Sequence, residues 1–332
     1  AAAREQVLAA LGDGGGGRGE LVWTSGGTES NALGVLGAAR AAGPGAVVVT
    51  ALEHPAVTAS ARLLGDGWPV HALAVGADGV VDVDAAAAAI PVDARVVAVM
   101  LVSNELGTIQ PVAALAAAAR ARAPGVHVHC DATQAVGKLA IDVDALGVDS
   151  LGLAGHKLHG PKGAGALWLR HGRGLAPLWG GGGQQGGRRS GTQDAPGAAG
   201  LGLAVERAVA ALPEATARWR GFAATLEAAA AASGVAWRAL AAEPRVPHVL
   251  SLGFADVSAD GLREVMGSRG VIVSSGSACA TAGAKPSGAL TAIGLPTTWG
   301  MVRLSFGLTT TAAEIDAAAA ILIEVVRDLA AA

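Results

Sequence analysis

The sequence contains two cysteines and no tyrosine among its 332 residues, and its net charge is only −3. Two cysteines cannot form a disulfide framework, which predicts a reducing, cytoplasmic setting. The weak charge offers no basic surface to nucleic acid or to a membrane. No apolar run is long and uninterrupted enough to span a bilayer, and the chain start lacks the basic-then-apolar order of a signal peptide. We therefore expect neither a nucleic-acid nor a membrane partner.

The sequence is predominantly apolar. Hydrophobic residues make up 52% and charged residues 15%, a composition that excludes intrinsic disorder. The length predicts a large domain over residues 1–205 and a smaller C-terminal α/β domain over 206–332. In the first, β-branched runs alternate with Ala-rich runs, which indicates a mostly parallel, buried central sheet. Strands are predicted there at 47–50, 70–75, 96–102, 126–130, 150–154 and 164–169.

Helical patterns lie between several of these strands and dominate the later part of the chain. Helices are predicted at 3–11, 29–42, 56–64, 112–123, 197–232 and 259–269. The smaller domain adds predicted strands at 249–254, 271–274 and 301–306. A final helix begins with Thr311 and Glu314 at the spacing of a capping box.

Polar side chains follow four of the predicted strands at the point where each strand ends. They are His54, Asn104, Asp131 and Lys157, with Gln134 one turn beyond Asp131. Ligands of open α/β sheets bind beyond the carboxyl ends of the strands, so we expect these groups to lie along one edge.

These residue types suit a cofactor that stores electrons in a pyridine ring. Such chemistry needs a lysine for a Schiff base and a carboxylate facing the ring nitrogen. Lys157 is the best lysine, because it directly follows a strand. Ser25-Gly26-Gly27-Thr28 leads into a helix, whose first N–H groups would bind a phosphate. Each feature alone has an ordinary structural explanation as a turn, a cap or a surface charge.

A zinc site is the competing interpretation of the strand before Asp131. Strand alternation puts His127 and His129 on one face and Cys130 on the other. Two histidines at this spacing could bind zinc, but no second cluster supplies the remaining ligands. We expect no metal.

Seven segments together carry a resemblance that covers nearly the whole chain. The chain resembles the cysteine desulfurases of the NifS/IscS type, in the class V aminotransferase family of fold-type I pyridoxal-phosphate (PLP) enzymes. The segments occur in the order and spacing of that family, and jointly they are specific. They read WTSGGTESNA (23–32), EHPAV (53–57), SNELGTIQP (103–111), HCDATQAVGK (129–138), GHKLHGPKGAGALW (155–168), RRSGTQD (188–194) and SSGSAC (274–279).

The resemblance implies a role for each strand-end residue. Lys157 would form the Schiff base with pyridoxal 5'-phosphate, and Asp131 would pair with the pyridine nitrogen. Gln134 would bind the ring hydroxyl, and His54 would stack on the ring and take part in catalysis. Asn104 would contact cofactor and substrate.

It also implies how the phosphate and the substrate are held. Gly27, Thr28 and His156 would bind the phosphate. Thr192 resembles a residue that reaches the phosphate of a neighbouring subunit, which implies a homodimer. Arg303 would bind the substrate carboxylate, a task that suits a guanidinium.

Cys279 decides the reaction that the resemblance implies. A free cysteine is most often a small buried hydrophobic residue. Cys279, however, lies in a segment of small polar residues, which suits a nucleophile that moves between cofactor and acceptor. It would take sulfur from L-cysteine as a persulfide, release L-alanine, and pass the sulfur to an acceptor or scaffold protein, as in iron–sulfur cluster assembly.

Two alternatives remain open. One is a selenocysteine lyase or another class V carbon–sulfur lyase. The other is a catalytically impaired, truncated homologue that acts as a sulfur-relay or scaffold dimer. Its support is that the family's N-terminal Asp-x-Ala-Ala-Thr-Thr-Pro segment is not found here and that Ala154 stands where the family has a phosphate-binding Ser.

Overall fold

The computed structural model describes residues 1–276 and 288–331. The chain forms two compact units. The first comprises Ala1–Ala74, Val81–Val102 and Gln110–Leu212, and the second comprises Val75–Val80, Ser103–Ile109 and Pro213–Ala332. The boundary after Leu212 lies within a long helix, α8 (Ala195–Ala232), and the boundary predicted after residue 205 lies within the same helix.

A seven-stranded sheet with strand order β1-β7-β6-β5-β4-β2-β3 forms the centre of the first unit. Only β7 runs antiparallel to its neighbours, so the prediction of a mostly parallel sheet is confirmed. The prediction omitted β1, the edge strand. The strands are β1 (Gly19–Thr24), β2 (Ala46–Thr50), β3 (Val70–Leu73), β4 (Ala94–Met100), β5 (His127–Asp131), β6 (Ser150–Ala154) and β7 (Gly165–Arg170).

A helix lies between most pairs of consecutive strands in the first unit. Every residue of β2, β5 and β6 is buried, as in parallel sheets covered on both faces. The helices before α8 are α1 (Ala2–Ala10), α2 (Gly27–Ala32), α3 (Ala38–Ala42), α4 (Pro55–Arg62), α5 (Val83–Ala89), α6 (Val112–Arg122) and α7 (Val143–Leu146).

A single π-helical turn, Leu33–Gly37, joins α2 to α3 without a break. The helix predicted over 29–42 is therefore confirmed in extent, but its middle turn is wider than an α-helix. Such π turns are rare and frequently occur at functional sites.

The second unit contains a three-stranded antiparallel sheet with strand order β10-β9-β8. The strand predicted at 271–274 is wrong. Among the described residues, only Ser274 of this segment pairs, in an isolated bridge with Arg303, and Ile272 is 87% exposed. The elements are β8 (Trp237–Ala239), β9 (Val249–Ala255), α9 (Ala259–Ser268), α10 (Gly288–Ala292), β10 (Trp299–Ser305) and α11 (Ala312–Ala330).

Two helices, α11 and α8, relate to expectations drawn from the sequence: one to the predicted capping box and the other to the possibility of a membrane span. Thr311 and Glu314 form the predicted capping box at the start of α11. Within the described part of the chain, α8 is long and apolar enough to cross a membrane by length and composition alone. It carries Glu206 and Arg207, and the long helix of a globular domain meets the same criterion, so this is weak evidence for a span.

Candidate active site

Three strands of the first unit deliver their polar residues to the same edge of the sheet. β2 runs into His54, β5 ends at Asp131, and β6 runs into a 3-10 turn, Gly155–Leu158, that carries Lys157. The registers of β2 with β4, of β4 with β5 and of β5 with β6 are all parallel. The carboxyl ends of these strands therefore meet at one edge, as predicted.

Asp131 is buried and accepts hydrogen bonds at both carboxyl oxygens. The side-chain nitrogen of Asn31 on α2 donates to Oδ2 over 2.7 Å. The backbone N–H of Thr133 donates to Oδ1 over 2.9 Å. Both carboxyl oxygens therefore act as acceptors. The remaining lone pairs can accept a bond from a protonated ring nitrogen.

Lys157 and His156 lie on the surface of the turn that follows β6. The turn is closed by a left-handed residue, His159, and by a bond from the N–H of Gly160 to the carbonyl of Gly155. Partial burial lowers the pKa of His156, and the positive charge of Lys157 adds to the effect. A neutral His156 imidazole can donate a hydrogen bond to an anion such as a phosphate. It does so without occupying the position of the Lys157 amine.

His54 begins α4 as its N-cap. Its Nδ1 accepts the N–H of Ala56 over 3.0 Å, which leaves the proton on Nε2. The ring is half-buried. Gln134 is also half-buried and lies one turn beyond Asp131.

Glu53 precedes His54 and is buried. Burial raises the pKa of its carboxyl to about 8 against hydrogen bonds from Thr50 and Met100. Oε1 accepts the hydroxyl of Thr50 over 2.7 Å and the N–H of Met100 over 2.8 Å. Oε2 has no hydrogen-bond partner. At neutral pH this acid is therefore mostly protonated.

The start of α2 forms a cradle of the kind that binds phosphate. Gly27 is buried at the first turn, and a Cβ there would lie 3.0 Å from the hydroxyl oxygen of Thr133. That hydroxyl oxygen is buried and has no hydrogen-bond partner. Ala154 borders the same space with a methyl group, so it supplies no donor. Thr28, at the next position, is exposed.

An unpartnered hydroxyl beside free helix N–H groups is what a bound phosphate would satisfy. Together with the Asp131 carboxylate and the Lys157 amine, the cradle fits pyridoxal phosphate. The cradle could hold the phosphate of such a cofactor, Asp131 its ring nitrogen and Lys157 its aldehyde.

An ion pair between the buried Glu29 and the half-buried Arg189 holds the cradle in place. Arg189 donates to Glu29 through Nε over 2.8 Å, and the N–H of Ser25 donates to the same carboxylate over 2.7 Å. Burial pushes the pKa of Glu29 up, but the bonds from Arg189 and Ser25 outweigh it and leave the pKa below its usual value. Thr192 follows Arg189 by three residues and is exposed.

The second unit holds the two predicted substrate-binding residues together. Arg303 on β10 donates through a guanidinium nitrogen to the carbonyl of Asn104 over 2.7 Å. Both residues are half-buried. Burial lowers the pKa of Arg303, although the charge of Glu105 acts in the opposite direction. Cys279 lies outside the described residues.

The two histidines of the zinc alternative are hydrogen-bonded to other protein groups. His129 uses both ring nitrogens, one on Ser150 and the other on Asn31. Nε2 of His127 also bonds to Ser150. Across 1–276 and 288–331, no group of three or more His, Cys, Asp or Glu residues could hold a metal ion.

Sequence reasoning missed three residues that shape this site: Asn31, Thr133 and Arg189. Asn31 lies four residues after Gly27 and thus on the same helix face, a signal that could have linked it to the cradle. The unpartnered hydroxyl of Thr133 has no counterpart in any sequence pattern.

Known proteins resemble the chain over most of its length. The family model described as Aminotransferase class-V matches residues 2–318. The cysteine desulfurase of Gluconacetobacter diazotrophicus is 40% identical over 303 residues, which are 90% of this chain and 75% of that protein. Cysteine desulfurase NifS of Azotobacter vinelandii is 37% identical, with the same two coverages of 90% and 75%. The solved structure of a NifS-like protein aligns with a TM-score of 0.89 at 30% identity, over 98% of this chain and 87% of that one.

Proposed function

Because this chain belongs to the class-V aminotransferase family, we propose that it is a cysteine desulfurase that uses pyridoxal phosphate to convert L-cysteine to L-alanine. The observation that carries the proposal is the Asp131 carboxylate, held by Asn31 and Thr133 at the sheet edge that also carries Lys157. The likeness to the NifS-like structure confirms the predicted fold type I.

The names and identities of the relatives support the substrate. Relatives named cysteine desulfurase are 35–40% identical to this chain and are matched over 68% or more of their own length. The segments that carry the resemblance include those of Lys157, Asp131 and Cys279.

The bound cofactor supplies an electron sink for the charge left when substrate loses its Cα proton. Gly27, Thr28, Thr133 and His156 would hold its phosphate, Asp131 its ring nitrogen and Gln134 its ring hydroxyl. His54 would cover the ring face. Lys157 would anchor the cofactor and, once displaced by substrate, remove the Cα proton with its free amine.

The substrate-binding groups and the nucleophile complete the reaction. Arg303 binds the substrate carboxylate, because its planar guanidinium can donate two parallel hydrogen bonds to it. The thiolate of Cys279 attacks the substrate sulfur. An S–S bond forms, the substrate C–S bond breaks, and Cβ takes up a proton to give alanine. The persulfide on Cys279 then passes its terminal sulfur to an acceptor protein or a small thiol.

The assembly and the setting belong to the same proposal. We propose a homodimer in which the exposed Thr192 reaches the phosphate site of the other subunit, and a cytoplasmic protein that delivers sulfur to a scaffold for iron–sulfur assembly. Support for the dimer is that Arg189 anchors this segment to the cradle through Glu29 while Thr192 stays exposed.

The test measures alanine and sulfide released from L-cysteine, with reductant, by protein loaded with PLP. Cys279→Ala should bind the cofactor but release no sulfide, whereas Cys130→Ala, the matched cysteine variant, should retain activity. Lys157→Ala should lose the visible absorption of bound cofactor, and Lys162→Ala, in the neighbouring turn, should keep it. Normal sulfide release by Cys279→Ala would refute the proposal.

Two further assays separate the alternatives. Faster release of selenide from selenocysteine than of sulfide from cysteine would favour the lyase. A colourless protein that dimerises and binds no PLP would favour the scaffold.

A further inference from the structure

A continuous series of buried hydrogen bonds leads away from Asp131 into the core of the first unit. Asn31 donates to Asp131 over 2.7 Å, and its amide oxygen lies 3.0 Å from Nε2 of His129. Nδ1 of His129 lies 2.8 Å from the hydroxyl of Ser150. The same hydroxyl lies 2.8 Å from Nε2 of His127. We name this set, Asn31, His129, Ser150 and His127, the relay.

The protons of the relay have one consistent arrangement. A carboxylate only accepts, so the Asn31 nitrogen faces Asp131 and the Asn31 oxygen must accept from Nε2–H of His129. Because the His129 ring is neutral, its Nδ1 then accepts the hydroxyl proton of Ser150. The Ser150 oxygen in turn accepts Nε2–H of His127. Every donor along the relay points toward Asp131.

Both imidazoles are held in the neutral form that this arrangement requires. Burial lowers the pKa of His127 to about 3, and the nearby charges of Arg173 and Arg120 contribute. Burial, with a smaller contribution from His127, lowers the pKa of His129 to about 3.

The backbone around the relay is built to make room for it. A Cβ at Gly34 would lie 2.2 Å from Nδ1 of His129, and a Cβ at Gly152 would lie 2.6 Å from the amide oxygen of Asn31. Gly34 lies in the π turn Leu33–Gly37, so the widened turn and the missing side chain occur at the same place. At both positions a larger side chain would displace a member of the relay, either His129 or Asn31.

We propose that the relay is a positioning device in which His129, Ser150 and Asn31 lock the orientation of the Asp131 carboxylate toward the cofactor ring. Without a partner for its amide oxygen, Asn31 could rotate its amide and turn that oxygen toward Asp131. The amide oxygen and the carboxylate would then repel each other. The Nε2–H of His129 prevents this rotation, because only the amide oxygen can accept it. Ser150 supports the same His129 tautomer, because its hydroxyl can donate to Nδ1 of His129 while its oxygen accepts Nε2–H of His127. The proposal rests on the function proposed above, since it assigns Asp131 to the cofactor.

The first test examines the wild-type apoprotein and needs no cofactor. Nitrogen NMR of 15N-histidine-labelled protein reports tautomer and charge for each of the eight histidines. His129 should carry its proton on Nε2 and should not titrate between pH 5 and pH 8, because its pKa lies at about 3. A proton on Nδ1, or a titration in that range, would overturn the proposal whatever the protein binds.

The second test compares how strongly three variants bind PLP. Asn31→Leu removes the donor next to Asp131 and should raise the dissociation constant about tenfold, which corresponds to about 1.4 kcal/mol. Ser150→Ala acts two groups further away and should raise it by a smaller factor, roughly threefold, while shifting the pH at which the visible absorption of bound cofactor changes. Ser60→Ala is the control, because Ser60 is a buried serine of α4 with 6% exposure.

The readouts separate positioning from stability. Ser150→Ala and Ser60→Ala should lower the melting temperature of the apoprotein similarly, but only Ser150→Ala should change the absorption profile. An unchanged profile and affinity in Ser150→Ala would overturn the proposal. Failure of the wild type to bind PLP would instead reject the proposed function, and the NMR result would still show whether the relay has its predicted direction.

Discussion

The amide nitrogen of Asn31 lies 2.7 Å from Oδ2 of Asp131 and ties α2 to the end of β5. α2 carries the proposed phosphate cradle at its start, and β5 carries the acid that we propose faces the cofactor ring. This hydrogen bond therefore links the two groups that the proposed cofactor would span.

Gly34→Ala should destabilise the protein, although alanine usually favours a helix. The new methyl carbon would overlap the His129 ring at 2.2 Å, and overpacking of a core typically lowers the free energy of unfolding by about 1–3 kcal/mol. Gly221→Ala in α8 is the matched control, because nothing lies within 4 Å of its Cβ and it should stabilise by about 0.5–1 kcal/mol. Urea unfolding of both variants measures the difference, and equal shifts would contradict the prediction.

Glu53→Gln should remove a pH dependence of stability. The pKa of Glu53 rises from 4.5 to about 8 on folding, so the folded state keeps a proton that the unfolded state releases. Between those values the wild type should lose about 1.4 kcal/mol per pH unit relative to Glu53→Gln, and above pH 8 the difference should be constant.

Denaturant unfolding at pH 5, 6.5 and 8.5 checks this prediction. Glu264→Gln, an exposed carboxyl of α9, serves as the control and should follow the wild type. A parallel pH dependence of the wild type and Glu53→Gln would show that Glu53 ionises normally in the fold.

Thr133→Val should change the free and the cofactor-bound protein in opposite directions. Its hydroxyl is buried without a partner, so an isosteric valine should stabilise the apoprotein by about 1 kcal/mol. The same change should weaken PLP binding about tenfold, because the phosphate loses a donor. Thr24→Val, which removes a hydroxyl bonded to Ser30 over 2.7 Å, should instead destabilise the apoprotein. Calorimetry with and without PLP distinguishes these cases.

Ala154→Ser should strengthen PLP binding. Ala154 borders the same space as Gly27 and Thr133, so a hydroxyl there would offer the phosphate one more donor. We expect a dissociation constant lower by about tenfold, as for a hydrogen bond to a charged group. In the double variant Thr133→Val/Ala154→Ser, affinity should return close to that of the wild type. No gain in either background would show that the phosphate lies elsewhere.

Strand ends were predictable from the sequence because a buried parallel strand leaves a strong apolar pattern and its first polar residue marks the edge. Lys157, Asp131 and His54 were found in this way. β1 was missed because its sequence, GELVWT, mixes apolar and polar residues at the sheet edge. Residues 271–274 have strand composition, but within the described part of the chain only Ser274 pairs with another strand, and composition cannot supply a neighbour.

The relay could not have been read from the sequence. His127 and His129 were correctly placed on one strand face, but their partners come from elements distant along the chain. Asn31 is 98 residues from His129, and Ser150 is 21 residues from it. The spacing of the two histidines within one strand raised zinc as an alternative. In the fold, each imidazole instead has a neutral hydrogen-bond partner.

Cys130 is sealed inside β5, where burial raises the pKa of its thiol well above the usual value. An alkylating reagent should therefore leave the Cys130 sulfhydryl of the folded protein unmodified and should modify it after unfolding. The persulfide formed during turnover can then be detected by mass spectrometry, because the sulfur atom adds mass to a single tryptic peptide, the one that contains Cys279. The peptide that contains Cys130 should keep its mass and can serve as the internal standard.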